Sequence, residues 1–130
     1  MTADHARAEH PPSGGPRAGG GVAEEVGVVL AALADPTRRQ LLDALVDAGQ
    51  ASATRLAGHL PVSRQAVVKH LQVLETAGLV ERVRVGREVL YAAHPDPLDA
   101  SARWLADLSA AWGRRLNVLK HAAETATTGD

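Results

Sequence analysis

Arg64, Gln65 and Lys69 carry hydrogen-bonding groups at a spacing that puts them on one face of a helix. An arginine fork can donate two hydrogen bonds to O6 and N7 of guanine, and a glutamine amide can pair with N6 and N7 of adenine. Lys69 adds a flexible point charge suited to a phosphate or a base edge. Val68 shares this face and matches a thymine methyl, and Gln72 extends the polar strip by a turn. Ser63 precedes the set as an N-cap, and the free N–H groups of a helix start suit a phosphate backbone. Singly, each is an ordinary exposed helix residue. Together they form a surface for reading double-stranded DNA through the major groove.

Other chemistry finds little support. The chain has no cysteine, so disulfides and thiolate metal sites are excluded. It shows neither a glycine-rich phosphate loop nor a nucleophile elbow, and Ser52 and Ser63 are explained as caps. His59 and His70 fall within the same central segment, where His70 flanks a buried stripe and reads as a structural histidine. His121 and Glu124 stand at i, i+3 on one helical face, but Asp107 lies 14 residues earlier and is followed by Ser109. His94-x-Asp96 precedes the last helix. Two ligands per chain do not make a transition-metal site. No metal, no cofactor and no catalysis are expected.

The elements that must position the polar face follow from caps and periodicity. Val22, Val26, Val29, Leu30 and Leu33 recur at helical spacing and predict a first helix to about Ala34. Asp35-Pro36 opens a second, running to about Ala48 over Leu41, Leu42 and Leu45, with Gly49 at its end. Ser52 opens a short third helix holding Leu56 and Leu60, which Pro61 stops. Ser63 caps a fourth, running to about Ala77, whose Val67, Leu71 and Leu74 form a buried stripe at i, i+4 and i+7. Alternation then takes over: Val80, Arg82 and Arg84 on one side, Glu81, Val83 and Val85 on the other. Gly86-Arg87 turns the chain into Val89-Leu90-Tyr91, which predicts a β-hairpin over 80–93. A last helix is expected from about Leu98 to Glu124.

The expected fold is mainly α, an α+β winged helix-turn-helix of about five helices with a two-stranded hairpin wing. At 130 residues there is room for one domain, placed at 22–124. The Pro- and Gly-rich residues 1–21 are expected to be a disordered tail, and 125–130 a flexible one. No apolar run reaches membrane-span length and no secretory signal is visible, so a cytoplasmic location without membrane contact is expected.

Charge distribution supports the polar face more than total charge does. The formal net charge is -1. Between Arg55 and Arg87, however, six cations (Arg55, Arg64, Lys69, Arg82, Arg84, Arg87) stand against two acids, Glu75 and Glu81. Arg82 and Arg84 share one strand face and Arg87 sits at the hairpin tip. A basic wing suits phosphates or the minor groove. It equally suits a charged sheet edge that discourages aggregation.

With these residues in view, the chain resembles the ArsR/SmtB family of bacterial repressors over roughly Val26 to Leu119. The resemblance rests on Leu33-Ala-Asp-Pro-Thr-Arg-Arg-Gln-Leu-Leu42, on Ser63-Arg-Gln-Ala-Val-Val-Lys-His-Leu71 with Leu74-Glu-Thr-Ala-Gly-Leu-Val80, and on Arg84-Val-Gly-Arg-Glu-Val-Leu-Tyr91. It implies a dimer that represses or autoregulates promoters, with DNA-reading positions at Arg64, Gln65, Val68 and Lys69. It also implies dimerisation through the first and last helices, which brings in Val26 and Leu30. The residues of the last helix point the same way: Trp104, Leu105, Leu108, Trp112, Leu116 and Leu119 recur at three and four in a chain with one other aromatic residue, Tyr91. The same tryptophans would also serve an intrachain core or an effector pocket.

Two departures stand out. Pro61 replaces the glycine common in the helix-turn-helix turn and forbids a left-handed residue there. The cysteine pairs and paired histidine sites of metal-sensing members are missing, which places the chain with the non-metal branch. Two rivals stay open, a winged-helix module for protein interaction and a metal-responsive repressor using His121 and Glu124. Whether a small-molecule effector exists is unknown.

Overall fold

The computed structural model describes residues 15–128, as helices α1 (Gly15–Leu33), α2 (Pro36–Ala48), α3 (Ala53–Ala57) and α4 (Arg64–Thr76), strands β1 (Val80–Val85) and β2 (Glu88–Ala93), and helix α5 (Asp96–Thr128). Three helices start where a side chain can satisfy their orphan N–H groups. Asp35, Ser52 and Ser63 each hold extended backbone and accept from the N–H three residues on, that of Arg38, Arg55 and Ala66. Helix α2 closes on Gly49 at φ 81, where its N–H reaches the carbonyl of Leu45.

The helix ends correct the sequence expectations in four places. Residues 15–21, expected in the tail, belong to α1, whose Pro16 sits in the first turn where a missing N–H has no helical partner; residues 1–14 lie outside the described residues. Helix α3 ends at Ala57, because the Gly58 N–H closes back on Thr54 and Arg55, and Leu60 is left in the turn. Helix α5 begins at Asp96, because the Pro95 carbonyl accepts from Leu98 (2.9 Å) and Asp99 (3.1 Å). It continues to Thr128, so 125–128 are helical, with no glycine or proline between Glu124 and Gly129 to break it; residues 129–130 lie outside the described residues.

The core sits where α2, α3 and α4 meet the sheet. Leu41, Leu45, Leu56, Val67, Leu71 and Leu74 are each less than 2% exposed, and Tyr91 closes the core from β2. Burying each such side chain is worth roughly 1.5–3 kcal/mol. From α1 the buried residues are Val26, Val29 and Ala32, while Val22 and Leu30 are exposed.

The two strands pair antiparallel with Val80 opposite Ala93, Arg82 opposite Tyr91 and Val85 opposite Glu88. Gly86 at φ 62 takes the first central position of the two-residue turn, where a hairpin of this hand needs a positive φ. A third segment joins the far edge of β2: Ala51 and Tyr91 exchange N–H···O bonds of 3.0 and 2.8 Å. This pair ties the wing to the α2–α3 connection. No helix among the described residues is long and apolar enough to cross a membrane.

Candidate nucleic-acid interface

Burying Val67, Leu71 and Leu74 turns the opposite side of α4 outward. Ser63, Arg64, Gln65, Lys69 and Gln72 are exposed, and Val68 is half-buried with its base packed on the core. All six, with Ala66, line one open hollow along the helix. The turn from α3 to α4 passes through Pro61 without a left-handed residue, since positive φ among the described residues occurs only at Gly49, Gly78 and Gly86. His59 steadies that turn, its Nδ1–H donating to the Arg55 carbonyl at 2.9 Å.

Two of these cations have partners that sequence spacing does not show. Arg64 donates from Nε to the hydroxyl of Thr54 on α3 at 3.0 Å. Arg82 donates from Nε to Glu75 Oε2 at 3.0 Å, which pairs the wing with the end of α4. Both partners of that second bond keep solvent access, so it steers geometry more than it stabilises. It also neutralises part of the charge Arg82 brings. Arg84 lies on the same strand face, opposite Val89, and Arg87 sits at the tip; both are exposed and make no ion pair among the described residues. Thr54 and Glu75 left no periodicity signal, because each acts on a residue in another element.

Behind α4 lies a further polar group. Asp35 caps α2, and the backbone N–H of Arg38 is the main cause that holds its carboxyl below the usual carboxylate value. Desolvation, the next-largest effect, opposes that shift, and the Arg38 guanidinium and the Thr37 N–H lower the value further in smaller degree. Arg39 in turn donates to the carbonyl of Leu33, at the end of α1.

The apolar surface on α1 and α5 divides into two faces. Ser101, Trp104, Leu108 and Ala111 point towards the body of the chain, from buried at Ser101 to half-buried beyond it. Leu98, Leu105, Trp112 and Leu119 recur every seven residues and are 44, 42, 55 and 66% exposed, with Leu116 beside them at 65%. Val26, expected at a subunit contact, is 3% exposed within the single chain, so α1 has already buried it and it has no surface left for a partner. Leu30 and Val22 remain exposed, as does Val28, which periodicity did not single out.

His121 and Glu124 lie on the outer, solvent-exposed part of α5. Among the described residues, no three His, Asp or Glu side chains come together as a metal site.

The chain matches a helix-turn-helix domain model over residues 33–83, the segment from the end of α1 to β1. It is 32% identical to the transcriptional repressor SdpR of Bacillus subtilis, over 59% of this chain and 84% of that protein. A solved ArsR-like transcriptional regulator from a Rhodococcus species superposes with a TM-score of 0.73 at 47% identity, covering 79% of this chain and 96% of that one. The homodimeric winged helix-turn-helix DNA-binding domain of a Mycobacterium bovis protein superposes with a TM-score of 0.58 at 27% identity, covering 77% and 89%. With the five helices, the hairpin wing and the exposed polar face of α4 in place, this chain belongs to the ArsR family of winged helix-turn-helix transcriptional regulators.

Proposed function

We propose that the protein is a cytoplasmic homodimeric repressor that reads an inverted-repeat operator in double-stranded DNA. The observation that carries this is the outward set Arg64, Gln65, Lys69 and Gln72 on the helix whose other side is anchored by Val67, Leu71 and Leu74. In this reading α4 enters the major groove, where Arg64 and Gln65 meet base edges and Val68 meets a thymine methyl. Ser63, Lys69 and Gln72 meet phosphates or base edges at the groove walls, and Arg84 and Arg87 of the wing meet backbone or minor groove. Arg82, paired with Glu75, contributes mainly by holding the wing against α4.

A second copy covers the exposed face of α5 formed by Leu98, Leu105, Trp112, Leu116 and Leu119, together with Leu30 on α1. Likeness to a homodimeric DNA-binding domain supports this assembly, and likeness to a repressor supports the direction of regulation. A two-fold axis would set the two α4 helices about 34 Å apart, one turn of DNA.

Selection of bound duplexes from a random pool tests the proposal. An enriched inverted repeat is expected, with affinity falling steeply as salt rises through counterion release. R64A and K69A together should abolish enrichment while the dimer persists. A pool that stays random, or binding indifferent to salt, would favour a protein-interaction module instead.

A further inference from the structure

Where α1, α2 and α4 meet, one side chain touches all three. Arg38, in the first turn of α2, donates from Nε to the carbonyl of Ala32 at 2.6 Å and from one terminal nitrogen to that of Ala31 at 3.3 Å. Both carbonyls belong to the last turn of α1, where helical N–H partners run out, and that of Ala31 also accepts the Ala34 N–H at 3.2 Å. The other terminal nitrogen of Arg38 lies 3.4 Å from Nδ1 of His70, on α4 between Lys69 and Leu71. Asp35 Oδ2 accepts the Arg38 backbone N–H at 3.0 Å and stands 4.0 Å from the same His70 nitrogen. The side chains of His70 and Asp35 are 24 and 34% exposed, so the cluster is partly shielded from water.

Apolar packing fixes how deeply α4 is seated but is not directional, whereas a hydrogen bond is. The Arg38–His70 contact therefore adds a directional restraint on the roll of α4 about its axis, from the α1–α2 side, beside those of Arg64 to Thr54 and Arg82 to Glu75. At its other end Arg38 grips α1, the helix that also presents Leu30 for a second copy. In a two-fold assembly an error in the angle between α1 and α4 enters once in each subunit, so both half-site alignments suffer together.

We infer that Arg38 and His70 are positioning residues for DNA reading, tying the pose of α4 to the helix that packs at the subunit contact. His70 does this as the neutral ring, with Nδ1 accepting from Arg38 and the proton on Nε2. The inference rests on the proposed DNA-binding function. Neither residue touches DNA in this account, so loss of the tie removes alignment and leaves the phosphate-facing charges in place.

Substitution of His70 tests this on the full chain. H70L removes the acceptor, and H70Q keeps one in its side-chain amide oxygen. R38M, which lacks the donors, serves as the independent variant should H70L fold poorly. Affinity is measured for the selected operator and for random duplex over a range of salt, beside sedimentation and melting of each variant. H70L and R38M are each expected to weaken operator binding by about tenfold. Random-duplex affinity, salt slope and dimerisation should match wild type, the double variant should be little worse than either single one, and H70Q should regain most of the loss. The inference falls alone if wild type binds its operator and H70L or R38M does so equally well, if operator and random duplex weaken in parallel, or if H70Q is no better than H70L. If wild type selects no DNA, the proposed function falls and takes this inference with it.

Discussion

Thr54 on α3 accepts a 3.0 Å hydrogen bond from Nε of Arg64, the first residue of α4. The guanidinium has five N–H donors in a planar fork. Holding Nε to the α3 side restricts the rotamer and leaves the two terminal nitrogens for a paired acceptor such as guanine O6 and N7. In the proposed function the hydroxyl therefore organises Arg64 before DNA arrives. T54V keeps the shape and removes the acceptor, and should weaken operator binding several-fold, about the worth of one ordinary hydrogen bond. It should also relax the base preference at one position of each half-site, and T54S should retain both. Fluorescence anisotropy on operators altered one base pair at a time would show this; an unchanged preference in T54V would place Arg64 on the phosphate backbone instead.

Much of the scaffold behind that contact is legible because it is local. Asp35, Ser52 and Ser63 each announce a helix through a side-chain oxygen that serves an N–H three residues on, and the stripe Val67–Leu71–Leu74 needs only the period of one helix. Interactions between elements leave no such trace. Nothing about Ala51 marks it as the partner of Tyr91, and Arg38 reaches His70 across 32 positions. Helix α1 shows a further limit. Its apolar residues run around most of the cylinder, so spacing alone does not say that Val26 faces inward while Val28 and Leu30 face out.

The junction between α4 and the wing should be sensitive to a single methyl group. Gly78 holds φ 79, and a Cβ there would stand 3.2 Å from Cγ of Pro97. Gly49 holds φ 81 but would place its Cβ in open space. G49A therefore tests backbone strain alone, with an expected loss of about 1 kcal/mol. G78A adds a steric contact and should lose more, with urea unfolding as the measurement. Equal losses would show that Pro97 yields freely.

Acid should weaken the start of α2 through Asp35. Its carboxyl titrates below its ordinary value in the folded chain, chiefly because it accepts the Arg38 N–H. A folded pKa below the unfolded one means the stabilisation is fully present above the unfolded value. It is lost as pH falls through the folded one. D35N preserves an N-cap acceptor without a titrating proton, so its melting temperature should fall less than that of wild type between neutral pH and about pH 3. Parallel melting curves would remove Asp35 from the acid response.

Association and stability should separate between Val26 and Trp112. Trp112 is 55% exposed on the outward stripe of α5, and Val26 is 3% exposed against the body of the chain. W112E should yield monomers in sedimentation equilibrium with most of the far-UV circular dichroism retained, because one buried charge per subunit opposes a seam of apolar residues. V26A should leave the dimer constant nearly unchanged at temperatures where the chain is folded and lower the melting temperature, since it opens a cavity inside one subunit. The reverse pattern would place Val26, and not Trp112, at the subunit contact.

The outer reach of α5 has a thermodynamic consequence of its own. From Trp112 to Thr127 every side chain is exposed, and this stretch advances roughly 24 Å at 1.5 Å per residue. A lone helix of that size is marginal in water. In the proposed dimer its winding and the pairing of two subunits are thus a single coupled equilibrium, and diluting the protein should unwind this arm before it unfolds anything else. The cellular supply of the regulator would then set the fraction of chains able to span two half-sites, with no ligand involved.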